Sequence, residues 1–149
     1  KVKDKYTEAL NKMSENSLQN LMRVIHYPPT RLSDHPNEIR AAAHTDINLI
    51  TLLVSGSKPG LQVKNNSGKW VDIESKKGQI VVNIGDMLQE ASSGYFPSTI
   101  HRVINPKKSE NMSRYSIPLF LHPRPEVVLS SRYTADSYLL ERLEEIGLK

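Results

Sequence analysis

The sequence has 149 residues, 38% of them apolar and 24% charged, which suits one globular domain. No apolar stretch approaches the roughly 20 residues of a membrane-spanning helix, so we expect no membrane contact. The absence of cysteine excludes disulfides, thiolate-bound zinc and a cysteine nucleophile, and it is compatible with the cytoplasmic location that we expect. The net charge of +4 comes with lysines scattered among loop residues, a pattern that does not favour a nucleic-acid partner.

In chain order, the first half of the sequence predicts a short helical piece followed by strands that turn residues separate. The helical piece falls at residues 5–10, and the apolar run over residues 20–27 predicts a strand that Pro28 and Pro29 end. Further strands are expected at residues 39–45, 49–54, 61–64, 70–73 and 79–84. An Asn-Asn-Ser-Gly turn separates 61–64 from 70–73, so these two strands should form a hairpin.

The second half of the sequence predicts a short helical piece at 87–91, strands at 98–104, 114–121 and 127–129, and a C-terminal helix. Thr134 is a suitable N-cap for this helix, and Gly147 is expected to end it. Many short strands bounded by turns indicate a mainly β sandwich or barrel, of which a jelly roll is one form.

The segment His44-Thr45-Asp46 lies where a predicted strand ends. Side chains at positions i and i+2 of a strand point to the same face, about 6–7 Å apart, so His44 and Asp46 can approach one ion. His101 lies within another apolar strand that could pair beside them. Two imidazoles and one carboxylate form the facial triad of Fe(II) oxygenases, which leaves coordination positions open for other ligands.

Arg114 and Ser116 form a second i, i+2 pair, on a strand shortly after His101. A guanidinium group matches a carboxylate with two parallel hydrogen bonds, and a hydroxyl can add a third. An arginine beside a metal pocket is what a dicarboxylic keto acid would require. The five residues together therefore suggest a metal site with an organic acid as co-substrate.

Seven segments, in this order and at this spacing, resemble the 2-oxoglutarate- and iron-dependent oxygenases, and more closely the isopenicillin N synthase-like branch. The resemblance runs from Val24 to Pro125. The segments are HYPP (26–29), HTD (44–46), LITLL (49–53), PGLQV (59–63), VVNIGDML (81–88), HRV (101–103) and RYSIPLFL (114–121).

This resemblance implies a role for eight residues. The implied iron ligands are His44, Asp46 and His101, and the implied 2-oxoglutarate contacts are Arg114, Ser116, Tyr27 and Asn83. Phe120 matches a position that contacts the substrate in plant relatives. For Asn83 and Phe120, ordinary packing inside the barrel is an equally good interpretation.

The resemblance also implies the fold and the reaction. The fold is a double-stranded β-helix (a cupin-like jelly roll), here with a C-terminal helix and a short N-terminal helical piece. The reaction is the hydroxylation, desaturation or cyclisation of a small organic molecule with Fe(II), 2-oxoglutarate and molecular oxygen, releasing succinate and carbon dioxide. We expect one catalytic domain over residues 1–149, with its core at about 20–130, and we expect the family's N-terminal region to be missing.

Two other functions stay open at this point. One is a metal-binding jelly-roll module without turnover, which the missing N-terminal region would explain. The other is a basic barrel that binds nucleic acid, which would show salt-dependent binding. The oligomeric state and the identity of the substrate do not follow from the sequence.

Overall fold

The computed structural model describes residues 8–30, 39–54, 57–74, 76–107 and 111–148. Within these ranges the chain forms nine strands and three helices. In chain order they are α1 (Leu10–Met13), β1 (Leu21–Met22), β2 (Ile25–Tyr27), β3 (Ala41–His44), β4 (Ile50–Val54), β5 (Leu61–Lys64), β6 (Trp70–Asp72), β7 (Ile80–Ile84), α2 (Asp86–Ala91), β8 (His101–Val103), β9 (Arg114–Leu121) and α3 (Ala135–Glu145).

The strands form two antiparallel sheets that face each other across a cavity. The larger sheet has the order β1-β9-β4-β7, and β2 also pairs with β9. The smaller sheet has the order β3-β8-β5-β6. Strands distant in sequence, such as β4 and β9, therefore lie side by side. This arrangement is the predicted double-stranded β-helix, with the predicted helix at its C-terminal end.

The larger sheet carries polar side chains on its enclosed face. Along β9, Arg114 and Ser116 are buried, whereas Tyr115 and Ile117, which alternate with them, are exposed. This alternation follows from the two-residue period of a strand. The outer face of the same sheet is apolar at Val54, which pairs with both Ile80 and Ile117. Buried polar groups are uncommon and need partners, so this enclosed face is a candidate for a functional site.

The hydrophobic core lies where the helices pack together at one end of the larger sheet. Met87 and Leu88 of α2 pack with Tyr138 of α3 and with Met13 of α1. Thr134 caps α3, because its side chain accepts a hydrogen bond from the Ser137 backbone N–H. The apolar side chains of the helices therefore form a core outside the barrel, and the barrel interior remains available for polar groups.

Two predicted strands match the structure residue for residue, 61–64 and 114–121, and the hairpin of β5 with β6 is confirmed. The predicted strand at 127–129 is wrong. Its backbone bonds instead to residues 133–135 at the start of α3, and Val128 forms an isolated bridge with Thr134. The early helical prediction is also misplaced, because α1 begins at Leu10 rather than ending there, and residues 5–7 lie outside the described ranges.

The predicted strand at 20–27 is two strands in the structure, separated by Arg23 and Val24. The pairing register of β1 and β2 with β9 places Pro118 opposite Arg23. The Arg23 N–H donates to the Pro118 carbonyl at 3.0 Å. Because proline has no N–H, the return bond of this pair cannot form, and the ladder is interrupted there.

Among the described residues, the longest helix has 11 residues, and no helix combines the length and apolar character that a membrane crossing requires.

Candidate metal and co-substrate site

The three predicted metal ligands meet at the end of the smaller sheet. His44 is the last residue of β3 and is paired with His101, the first residue of β8, so that their ring centroids lie 4.3 Å apart. Asp46 follows β3 by two residues, and its Oδ1 lies 3.7 Å from His101 Nε2. One potential ligand atom from each residue lies within 4.8 Å of the other two. Asp46 and His101 are buried, whereas His44 is exposed at the mouth of the cavity.

Backbone carbonyls fix the proton position on both histidine rings. His44 Nδ1 lies 2.7 Å from the Ala42 carbonyl, and His101 Nδ1 lies 3.0 Å from the Thr99 carbonyl. A carbonyl only accepts hydrogen bonds, so each Nδ1 carries the hydrogen and donates it. In the neutral rings, both Nε2 atoms therefore keep a free lone pair. Histidine ligands in metal sites are commonly oriented in this way.

This donor set fits a divalent first-row metal such as Fe(II). Two imidazole nitrogens and one carboxylate oxygen are the ligands of non-haem Fe(II) sites that retain open positions. Within the described ranges, no other group of histidine and acidic residues converges closely enough to hold a metal.

Arg114 is an almost fully buried cation with unused hydrogen-bonding capacity. It is 2% exposed, and its Nε donates to the Lys58 carbonyl at 3.1 Å. Its Nη1 is buried and has no hydrogen-bond partner. Burial lowers the pKa of Arg114, yet a guanidinium stays protonated in proteins. A buried, charged donor without an acceptor is costly, so this group fits a carboxylate ligand.

Tyr27 and Ser116 border the same guanidinium group. Tyr27 pairs with Arg114 in the β2–β9 register, and the Arg114 guanidinium carbon lies 5.5 Å from the centre of the Tyr27 ring. Burial raises the pKa of Tyr27, so its phenol is a neutral hydrogen-bond donor at neutral pH. Ser116, two residues along β9, is also buried. Three polar groups of the types expected for a carboxylate pocket therefore lie together.

All eight residues singled out in the sequence line one cavity between the two sheets. They are Tyr27, His44, Asp46, Asn83, His101, Arg114, Ser116 and Phe120. Apolar side chains, including Leu53, Leu61 and Val103, complete the lining. The cavity thus joins a potential metal site and a potential carboxylate site through a partly apolar space.

Sequence reasoning missed two groups of residues around this cavity. Thr51 donates to Asp46, and Asn48 contacts Thr51 in turn. Arg40 Nη2 donates to the carbonyls of Pro28 and Met112, and so ties the end of β2 to the start of β9. The signal for Thr51 was available, because a threonine at an inward position of an apolar strand requires a partner.

The loop that carries Asp46 packs directly against the start of α2 at Gly85. A methyl group at Gly85 would lie 2.0 Å from the Asn48 carbonyl oxygen. Gly85→Ala should therefore lower the free energy of unfolding by at least about 1–3 kcal/mol, the usual effect of overpacking. Denaturant-induced unfolding measures this change.

Gly78→Ala is the matched control for that substitution. Gly78 has a φ of 82°, but a methyl group there would meet nothing within 4 Å. Its substitution should show only the backbone strain of about 1–2 kcal/mol for a residue in the left-handed region. If Gly85→Ala destabilised the protein no more than Gly78→Ala, steric contact at Asn48 would not explain the need for glycine.

The fold and the two-histidine, one-carboxylate donor set define a site of the non-haem metal type, and comparison with known proteins identifies the family. The chain belongs to the 2OG-Fe(II) oxygenase superfamily, since a sequence model of that superfamily matches residues 18–123.

The chain is similar to proteins from bacteria and fungi. It is 58% identical to a protein from Shewanella oneidensis of known crystal structure, with a TM-score of 0.88 over 99% of this chain and 55% of that one. It is 31% identical to Neurospora crassa T7H, crystallised with alpha-KG, with a TM-score of 0.78 over 90% of this chain and 47% of that one. A 2-oxoglutarate-dependent dioxygenase from Didymella fabae is 36% identical over 129 residues, 85% of this chain and 35% of the relative. The chain therefore spans about half the length of the two matched structures and about a third of the Didymella protein.

Proposed function

We propose that this chain forms the catalytic core of an Fe(II)- and 2-oxoglutarate-dependent oxygenase that oxidises a small organic molecule. One observation carries the proposal: the buried Arg114, with an unpaired Nη1, lines the same cavity as the His44–Asp46–His101 triad. A metal site alone would suit many functions. A metal site with a buried cation at a fixed place in one cavity suits a ligand that carries both a chelating group and a distal carboxylate.

In this proposal, His44 and His101 hold Fe(II) through Nε2, and Asp46 holds it through a carboxylate oxygen. The bound iron supplies the activation of molecular oxygen, which is chemistry that protein side chains lack. The distal carboxylate of 2-oxoglutarate accepts hydrogen bonds from Arg114, Ser116 and the Tyr27 phenol.

The remaining cavity residues exclude water and position the substrate. Asn83 is 4% exposed and lines the cavity from β7, where it offers amide groups to the co-substrate. Phe120 of β9 pairs with Leu21 of β1 and offers an apolar surface to the substrate. In the net hydroxylation, one oxygen atom enters the substrate C–H bond and the other enters succinate, and carbon dioxide is released from 2-oxoglutarate.

The names of the relatives support a small-molecule substrate. One relative from Glycine max, 42% identical over 102 residues, is a homoarginine-6-hydroxylase, and Neurospora crassa T7H was crystallised with alpha-KG and thymine. These molecules differ in charge and shape, so they support the substrate class and not one substrate. We further propose that the catalytic core is the segment of about residues 20–130, which the family match at 18–123 supports.

Anaerobic titration tests the proposal directly. Adding Fe(II) and then 2-oxoglutarate should produce a visible metal-to-ligand charge-transfer band, and admitting oxygen should then produce succinate. The control omits 2-oxoglutarate and should show no band. A band without succinate would favour a metal-binding module without turnover, and the absence of any band would contradict both the iron site and the keto-acid site.

A further inference from the structure

We infer that Thr51 is a positioning residue, which restricts Asp46 to a single metal-binding oxygen, and that Asn48 holds Thr51 in place. The inference rests on the proposed iron site and goes beyond it, because neither residue is a metal ligand. Three observations support it: the hydrogen bond to Asp46, the direction of the hydrogen-bond chain, and the packing that fixes the loop.

The first observation is that the two oxygens of Asp46 have different surroundings. Thr51 Oγ1 donates to Asp46 Oδ2 at 2.7 Å. The other oxygen, Oδ1, is the one that faces His101 Nε2, at 3.7 Å. Both Thr51 and Asp46 are buried, so water does not readily replace this hydrogen bond. Oδ2 is therefore occupied by a protein donor, and Oδ1 is left to face the metal position.

The second observation is that Asn48 determines where the Thr51 proton points. Asn48 Nδ2 lies 3.2 Å from Thr51 Oγ1 and 2.8 Å from the Ile50 carbonyl. An amide NH₂ has two hydrogens, so it can donate to both acceptors. The Thr51 hydroxyl has one hydrogen and two acceptors within reach, Asp46 Oδ2 at 2.7 Å and Asn48 Oδ1 at 3.3 Å. The carboxylate oxygen is the nearer and the stronger acceptor, so it takes the hydrogen. The chain of donation thus runs from Asn48 to Thr51 to Asp46.

The third observation is that the loop around Asp46 is fixed at its backbone. The Asp86 N–H donates to the Asp46 carbonyl at 2.8 Å, and the Met87 N–H donates to the Ile47 carbonyl at 3.1 Å. Asn48 is 1% exposed and lies against Gly85 with no space for a methyl group. The carboxylate of Asp46 therefore has little freedom to rotate while Thr51 holds Oδ2.

A single-oxygen aspartate matters because the proposed co-substrate needs two coordination positions and oxygen needs a third. Three protein ligands with one atom each leave three positions of an octahedral ion. If Oδ2 also bound the metal, one of these positions would be lost. Side chains that hydrogen-bond a metal ligand commonly affect metal affinity by about 10-fold to 100-fold.

The test compares Thr51→Val with Thr51→Ser, using Co(II) as the metal probe. Valine keeps the shape and removes the hydroxyl, whereas serine keeps the hydroxyl. Thr51→Val should raise the Co(II) dissociation constant by about 10-fold to 100-fold and change the visible ligand-field spectrum of bound Co(II). Thr51→Ser should retain the affinity and the spectrum of the unchanged protein. A purely structural role would not alter the spectrum of the metal-loaded, folded variant.

The outcomes separate this inference from the proposed function. If the unchanged protein does not bind Co(II), the proposed metal site fails and the inference fails with it. If the unchanged protein binds Co(II), and Thr51→Val binds it with the same affinity and spectrum, only the role of Thr51 is refuted. Circular dichroism checks that the variants fold, and Thr51→Ala is measured in place of a valine variant that does not.

Discussion

Replacing His101 with alanine is expected to abolish Fe(II)-dependent oxidation. His101 is buried, and its Nδ1 is fixed by the Thr99 carbonyl, so its Nε2 is a preoriented ligand. Without it, the metal would keep only His44 and Asp46. The loss of affinity should exceed the roughly 10-fold to 100-fold change that follows removal of a side chain hydrogen-bonded to a ligand.

Two measurements check this expectation. The affinity for Co(II), measured by titration, should fall, and succinate formation with Fe(II), 2-oxoglutarate and oxygen should fall below detection. His26→Ala is the control, because His26 lies on the exposed face of β2, stacked on Tyr115 and 3.0 Å from Ser113 Oγ. Turnover by the His101 variant at the rate of the unchanged protein would contradict the ligand assignment.

The parts of the site and of the fold that could be predicted from the sequence depend on short-range patterns. Arg114 and Ser116 share a face because a strand alternates every two residues, and the structure shows both buried. The Thr134 cap and the hairpin of β5 with β6 also follow from short-range patterns. In each case the controlling interactions lie within a few residues of one another.

Features that depend on a distant partner could not be predicted in this way. The break between β1 and β2 arises because Pro118 lies opposite Arg23, and no pattern near Arg23 encodes that pairing. Residues 127–129 have the composition of a strand, but they bond to residues 133–135 at the start of α3 instead of to a sheet. The pairing of His44 with His101 likewise joins two distant segments. The strand pattern only allowed these two residues to lie side by side, and the family resemblance predicted that they share a metal.

The Arg114→Ala substitution should separate co-substrate binding from metal binding. The guanidinium is buried in the larger sheet, whereas the metal ligands lie at the end of β3, in the loop that follows it and at the start of β8. Removing one partner of a buried charge pair costs about 2–5 kcal/mol, because the other charge is left unpaired. The concentration of 2-oxoglutarate needed for half-saturation should therefore rise by about 30-fold or more, since each 1.4 kcal/mol is a tenfold change in affinity.

A shorter keto acid makes this prediction specific to the distal carboxylate. 2-Oxobutyrate has the same chelating group as 2-oxoglutarate but lacks the second carboxylate. The unchanged protein should strongly prefer 2-oxoglutarate, and Arg114→Ala should lose most of that preference while binding Co(II) normally. This coupling between a side chain and a ligand group is a double-mutant cycle, which isolates their interaction from general effects on folding. If the unchanged protein and Arg114→Ala preferred 2-oxoglutarate over 2-oxobutyrate equally, Arg114 would be buried for a structural reason. The keto-acid site would then have to be sought elsewhere in the cavity.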